Sequence, residues 1–186
     1  MTKSIIALLG MFLASAAFAE PKYQEHNYKL SHEDHYATYR HTNLDTWHVE
    51  YGNKVTPWLD ITYRYADLNI TKENRIKFTV PVWRKGNFNI KSRMEFRSFD
   101  NKEDHWRGRF IFGYKHNISD HAQAWIKLQP RLAFKDSGAK FDSRDQIGVK
   151  FHHNGWSISP FYERYSKDDI SNTPLTVFGT YFQYKF

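Results

Sequence analysis

Apolar and polar residues alternate singly along most of the chain after Glu20. In the closing stretch, Phe178, Thr180, Phe182, Tyr184 and Phe186 fall on one face of a strand, with Gly179, Gln183 and Lys185 on the other. The same period of two runs through 74–84, where Ile76, Phe78, Val80 and Val82 oppose Arg75, Lys77 and Thr79. Reading for this alternation predicts about ten strands, near 23–33, 45–52, 58–68, 74–84, 88–99, 105–116, 122–134, 145–153, 156–166 and 175–186. A count of twelve is the alternative, because the segment His35–His41 also reads as strand.

The connections alternate in character. Asn53–Pro57, Lys85–Asn87, Ile118–His121 and Asn154–Gly155 are short, whereas His35–Leu44, Asn69–Glu73, Asp100–Asp104, Lys135–Arg144 and Ser166–Pro174 are mostly longer and acid-containing. Strands with one apolar and one polar face, joined in this phase, predict an all-β chain: a transmembrane antiparallel up-and-down β-barrel. An even strand count would put both termini at the periplasmic rim, with Lys85–Asn87 periplasmic and Lys135–Arg144 external.

Composition looks wrong for a membrane protein until the alternation is considered. Mean hydropathy is −0.73, a quarter of the residues are charged, and nothing after Ala19 approaches the ~20 apolar residues of a membrane helix. A barrel needs only alternate residues to be apolar, since its backbone hydrogen bonds close between strands. The aromatic share of 18% also fits, with Trp58, Trp83 and Trp156 near predicted short turns and Trp47 and Trp106 at the opposite ends of strands. Lys3, the apolar run Ile5–Phe12 and the Ala17-Phe18-Ala19 ending read as a cleaved signal peptide over 1–19, leaving 20–186 as a single barrel domain. The chain has no cysteine and needs no disulfide to fold after export.

Charge then separates the two faces. Fourteen basic residues fall on the predicted inward face: Lys29, Arg64, Arg75, Lys77, Lys91, Arg93, Arg97, Arg107, Arg109, Lys115, Lys127, Arg131, Lys150 and Lys185. Six acids are expected to face them, namely Glu25, Glu33, Glu50, Asp60, Glu95 and Glu163. An unpaired buried charge costs several kcal/mol or more, so this surplus predicts a hydrated lumen of positive potential rather than a solid core. Lys91, Arg93 and Arg97 are expected on one wall with Arg107 and Arg109, extended by Lys127, Arg131 and Lys150. Arginine grips carboxylate bidentately, so this wall is a candidate guide for an anionic chain.

Other chemistry finds less support. Ser31 with His32 and His35, or the adjacent Glu33 and Asp34, could serve an outer-rim enzyme, but no G-x-S-x-G or comparable nucleophile signature accompanies them. Ten histidines are scattered without an H-E-x-x-H spacing, so no metal and no cofactor is expected. A structural or adhesive barrel would call for balanced interior charge, and the surplus argues against it.

At the level of pattern the chain resembles the oligogalacturonate-specific porin family. The segment His26–His32 (H-N-Y-K-L-S-H) looks like that family's opening strand, Trp156-Ser-Ile-Ser-Pro-Phe-Tyr-Glu163 its late strand, and Phe182-Gln-Tyr-Lys-Phe186 its ending. The resemblance implies a small monomeric barrel whose basic tracks guide uronate or sialate oligomers. The family's twelve strands are more than this short chain accommodates easily, so ten and twelve both stay open. The expectation is a non-enzymatic porin of the bacterial outer membrane, with a narrow basic lumen for acidic oligosaccharides and other small anionic solutes. Its other expected partners are outer-membrane lipid and the barrel-assembly machinery, which would read Phe186; no nucleic acid is expected.

Overall fold

A computed structural model of the protein describes residues 24–167 and 175–186. The proposed signal peptide and most of the segment Ser166–Pro174 lie outside them. The described chain is all strand and turn: β1 (Gln24–His32), β2 (His35–Thr42), β3 (Trp47–Thr56), β4 (Leu59–Asp67), β5 (Lys72–Lys85), β6 (Phe88–Phe99), β7 (His105–Ser119), β8 (Ala122–Leu128), β9 (Pro130–Lys135), β10 (Gly138–His153), β11 (Trp156–Lys167) and β12 (Leu175–Lys185).

Apart from β8 and β9, consecutive strands pair in antiparallel register, and β12 pairs with β1 to close the barrel. β8 and β9 lie end to end and share the same two partners, β7 and β10. They are one stave interrupted at Gln129, whose N–H turns toward the Asp145 carboxylate at 3.4 Å, ahead of Pro130, which has no N–H to offer. The barrel therefore has eleven staves built from twelve strands.

An odd number of staves cannot close antiparallel throughout. The seam between β1 and β12 is parallel, running from Gln24 beside Phe178 to Ser31 beside Lys185. This corrects the even-count topology, because Gln24 and Phe186 lie at opposite rims. One rim carries Phe186 and the two-residue turns 33–34, 57–58, 86–87, 120–121 and 154–155. The other carries Gln24 and the connections 43–46, 68–71, 100–104 and 136–137. Two expected loops are also corrected. Most of His35–Leu44 is β2, and Lys135–Arg144 is paired strand around a tight turn.

Local chemistry explains the turns. Asn154 (φ 45°) and Gly155 (φ 82°) both adopt the left-handed region, as the twist of a two-residue hairpin requires. Asn69 (φ 68°) bends the β4–β5 connection, where the Asp67 carboxylate accepts its N–H at 3.0 Å.

The pleat sorts side chains as the alternation predicts, and the result inverts a soluble protein. Phe88, Trp106, Phe110, Phe112, Ile126, Leu128, Phe134, Phe151 and Trp156 point outward and are exposed, while Glu25, Glu73, Glu95, Arg75, Arg107 and Arg109 are buried inside. The inner wall has one apolar patch, where Trp125, Phe161 and Tyr181 meet with ring centroids 4.5 to 6.2 Å apart. Glycines make room for it: a Cβ on Gly148 would fall 2.6 Å from the Trp125 ring, and one on Gly179 would fall 2.2 Å from that of Phe161.

Candidate functional site

The inward face carries the charge. Cross-strand register puts Arg64 opposite Arg75, Arg75 opposite Arg97, Arg93 opposite Arg109, and Arg109 opposite Arg131. All fourteen predicted cations share this face, and further cations, Arg40, Lys54, Lys140 and Arg144 among them, join them. Facing them are seven strand carboxylates: Glu25, Glu50, Asp60, Glu73, Glu95, Asp142 and Glu163. Glu33, expected inside, instead occupies the β1–β2 turn with φ 48°.

Within this interior the two kinds of cation segregate. The arginines gather toward the long-loop rim, where Glu25, Glu73 and Glu95 each serve two or more of them. Glu73 accepts from Arg75 Nε at 2.5 Å and from Arg97 Nε and Nη2 at 2.9 and 3.0 Å, a forked pair. Glu95 accepts from Arg107 Nε and Nη2 at 3.0 and 2.6 Å. Arg109, Arg75 and Arg93 approach the same carboxylate at 2.5, 3.4 and 3.9 Å. Glu25 pairs with Arg40 and, at 3.3 Å, with Arg144, whose Nε stands 2.6 Å from Glu163. Arg131 pairs with Asp142, and Lys77 with Glu50. Arg75, Arg107, Arg109 and Arg131 are all under 8% exposed, so side chains fill the barrel at this level.

The lysines gather toward the short-turn rim. Lys91, Lys115, Lys127 and Lys150 make no ion pair among the described residues, and each lies within electrostatic reach of at least one other. Lys127 Nζ lies 4.6 Å from the Trp125 ring centroid and 5.5 Å from that of Tyr181, so a cation–π contact replaces a counter-ion. Lys29 does the same over Tyr36 at 3.9 Å. Asp60, at the start of β4, is an acid of this half, and it accepts from Tyr36 at 3.1 Å and Thr62 at 3.0 Å.

The predicted guiding residues thus separate into two groups. Arg75, Arg93, Arg97, Arg107, Arg109 and Arg131 form the arginine half together with Lys77, and Lys91, Lys115, Lys127 and Lys150 form the other. The opposition of Arg93 and Arg109 has an explanation the sequence reading lacked, since Glu95 stands between the guanidiniums as an internal counter-ion. Glu73 and Asp142, assigned to loops by their sequence, are interior acids; extending the alternation two residues beyond the apolar run would have found Glu73.

Outside the barrel wall, one carboxylate has a shifted affinity for protons. The Thr71 hydroxyl and the Lys72 N–H donate to Asp100 at 2.7 and 2.9 Å and hold its pKa below the ordinary carboxylate value. This bond ties the 68–71 connection to the start of 100–104. Among the described residues no cluster of His, Asp or Glu could hold a metal ion. No family model, curated protein or solved structure matches this chain.

Proposed function

We propose that the protein is an outer-membrane porin that admits small anions passively, acidic oligosaccharides of the uronate or sialate type among them. The observation that carries this reading is the interior charge: inward cations outnumber the seven inward strand carboxylates by more than two to one, and Lys91, Lys115, Lys127 and Lys150 make no ion pair among the described residues. Such a surplus gives a positive potential that concentrates anions and repels cations. The lysine half, at the short-turn rim, is the vestibule on the periplasmic side. The arginine half, crowded and bridged by Glu73 and Glu95, is the constriction where carboxylates exchange between guanidiniums. The exposed apolar outer face supports a lipid neighbour, because a soluble monomer rarely leaves so much of this surface uncovered. Export through a cleaved signal peptide and recognition of Phe186 by the assembly machinery complete the reading, and neither catalysis nor a cofactor has a part in it.

The low exposure of the arginines favours a second reading, a filled barrel that binds anions without passing them. Permeation separates the two. In proteoliposomes the wild-type barrel is expected to admit galacturonate faster than neutral galactose, and R93A/R109A to lose that advantage while staying folded, since the lipid face is unchanged. Galacturonate uptake no faster than through protein-free liposomes would leave only the second reading.

A further inference from the structure

Glu95 is held in a way that a simple structural ion pair does not require. One carboxylate, fully buried, meets four guanidiniums: Arg107 at 2.6 Å, Arg109 at 2.5 Å, Arg75 at 3.4 Å and Arg93 at 3.9 Å. Glu73 shares Arg75, but Arg93, Arg107 and Arg109 pair with no other carboxylate among the described residues. Hydrogen bonding inside the cage is also incomplete. Arg107 donates to Oε2, whereas Oε1 is buried with no aligned hydrogen bond, and the buried Nε of Arg109 has no acceptor. Next to the cage, Arg131 Nη2 is buried without an acceptor as well. The site thus offers more donors and more positive charge than its one acid uses. A buried donor without a partner is costly, so the surplus itself calls for an explanation.

We propose that Arg75, Arg93, Arg107 and Arg109 form an oxyanion-binding site that Glu95 occupies as a tethered counter-ion. A carboxylate or phosphate from solution takes its place among the same guanidiniums. Planar forked guanidiniums recognise an incoming oxyanion by the same geometry that holds Glu95. The displaced carboxylate has a cation within its own strand pair, because Lys77, which also pairs with Glu50, lies directly opposite Glu95. The proposal deepens the anion-pore reading, for it makes Glu95 the residue that sets how tightly the constriction holds a passing anion.

Chemical rescue tests it on the refolded full-length chain. Glu95→Ala removes the carboxylate and leaves space for a small anion, and Glu95→Gln keeps the shape without the charge. Thermal unfolding is followed in potassium chloride and, at equal ionic strength, in potassium acetate, galacturonate or phosphate. E95A is expected to gain melting temperature with acetate at a concentration at least tenfold lower than wild type needs for the same shift, because a ligand that binds only the folded site stabilises by mass action. E95Q, its space filled, should respond less than E95A and more than wild type. A response to galacturonate alone would assign the site to sugar carboxylates and a response to phosphate alone to phosphates; either supports the proposal. Wild-type-like responses of both variants to all three anions would overturn it, as would failure of E95A to fold in any of them. The readout needs no transport, so rescue in a barrel that does not conduct would remove the pore reading and keep this site.

Discussion

At the residue scale, the interior is ordered by what each cation does with a carboxylate. Arginine presents a fork of donors and shares an acid with neighbours, so Glu73 and Glu95 can each hold several guanidiniums in the crowded half. Lysine is a compact, strongly hydrated charge and is placed where acids are few. Alternation told which way Arg93, Arg109 or Lys127 points, because Lys127 lies between Ile126 and Leu128, and Met94 and Phe110 follow the two arginines in strands whose other large apolar residues keep the same phase. It was silent on Glu73, flanked by Lys72 and Asn74, and on Asp142, where Phe141 is a lone apolar residue within a polar stretch. Asp100 allows a test at this scale. Its hydrogen bonds to Thr71 and Lys72 favour the charged form, so its pKa is depressed on folding. The sign follows: the bond stabilises the protein above the unfolded-state carboxylate pKa of ~3.9, and that contribution is lost as pH falls through the depressed folded value. Asp100→Asn should therefore melt below wild type at pH 7, with the gap closing toward pH 2. Thermal melts of the two proteins across that range check it, and a gap independent of pH would contradict the assigned cause.

At the element scale, strands with strong outward residues were visible in the sequence and two segments were not. In β2, His35–Thr42, the outward positions are Ala37, Tyr39 and His41, too weakly apolar to stand out from a polar loop. Around 135–144 the turn formers Asp136, Ser137 and Gly138 suggest one long loop, yet the backbone turns within two residues and resumes pairing. A single missed stave changes parity, and parity decides whether the termini share a rim. Because the chain has no native cysteine, single cysteines can report the topology. An impermeant maleimide on intact cells should label Lys102→Cys and Gln24→Cys and spare Asn87→Cys until the outer membrane is permeabilised. Gln24→Cys behaving like Asn87→Cys would refute the parallel-closed, eleven-stave barrel.

At the scale of the whole molecule, eleven staves fall between the ~8 whose side chains fill a barrel and the ~16 that leave an open channel. At that width the interior side chains decide whether solutes pass, and here the charged ones among them are mostly cations. On the proposed reading, exterior apolar surface, interior charge and the split between lysine and arginine halves serve one outcome, an interior that attracts anions and lets them step between arginines. The measurement that tests this most directly is the reversal potential of the refolded protein in a planar bilayer under a potassium chloride gradient. The account predicts small unitary currents with a reversal potential displaced toward the chloride equilibrium potential. Displacement toward the potassium potential, or no current at all from folded and inserted protein, would contradict it.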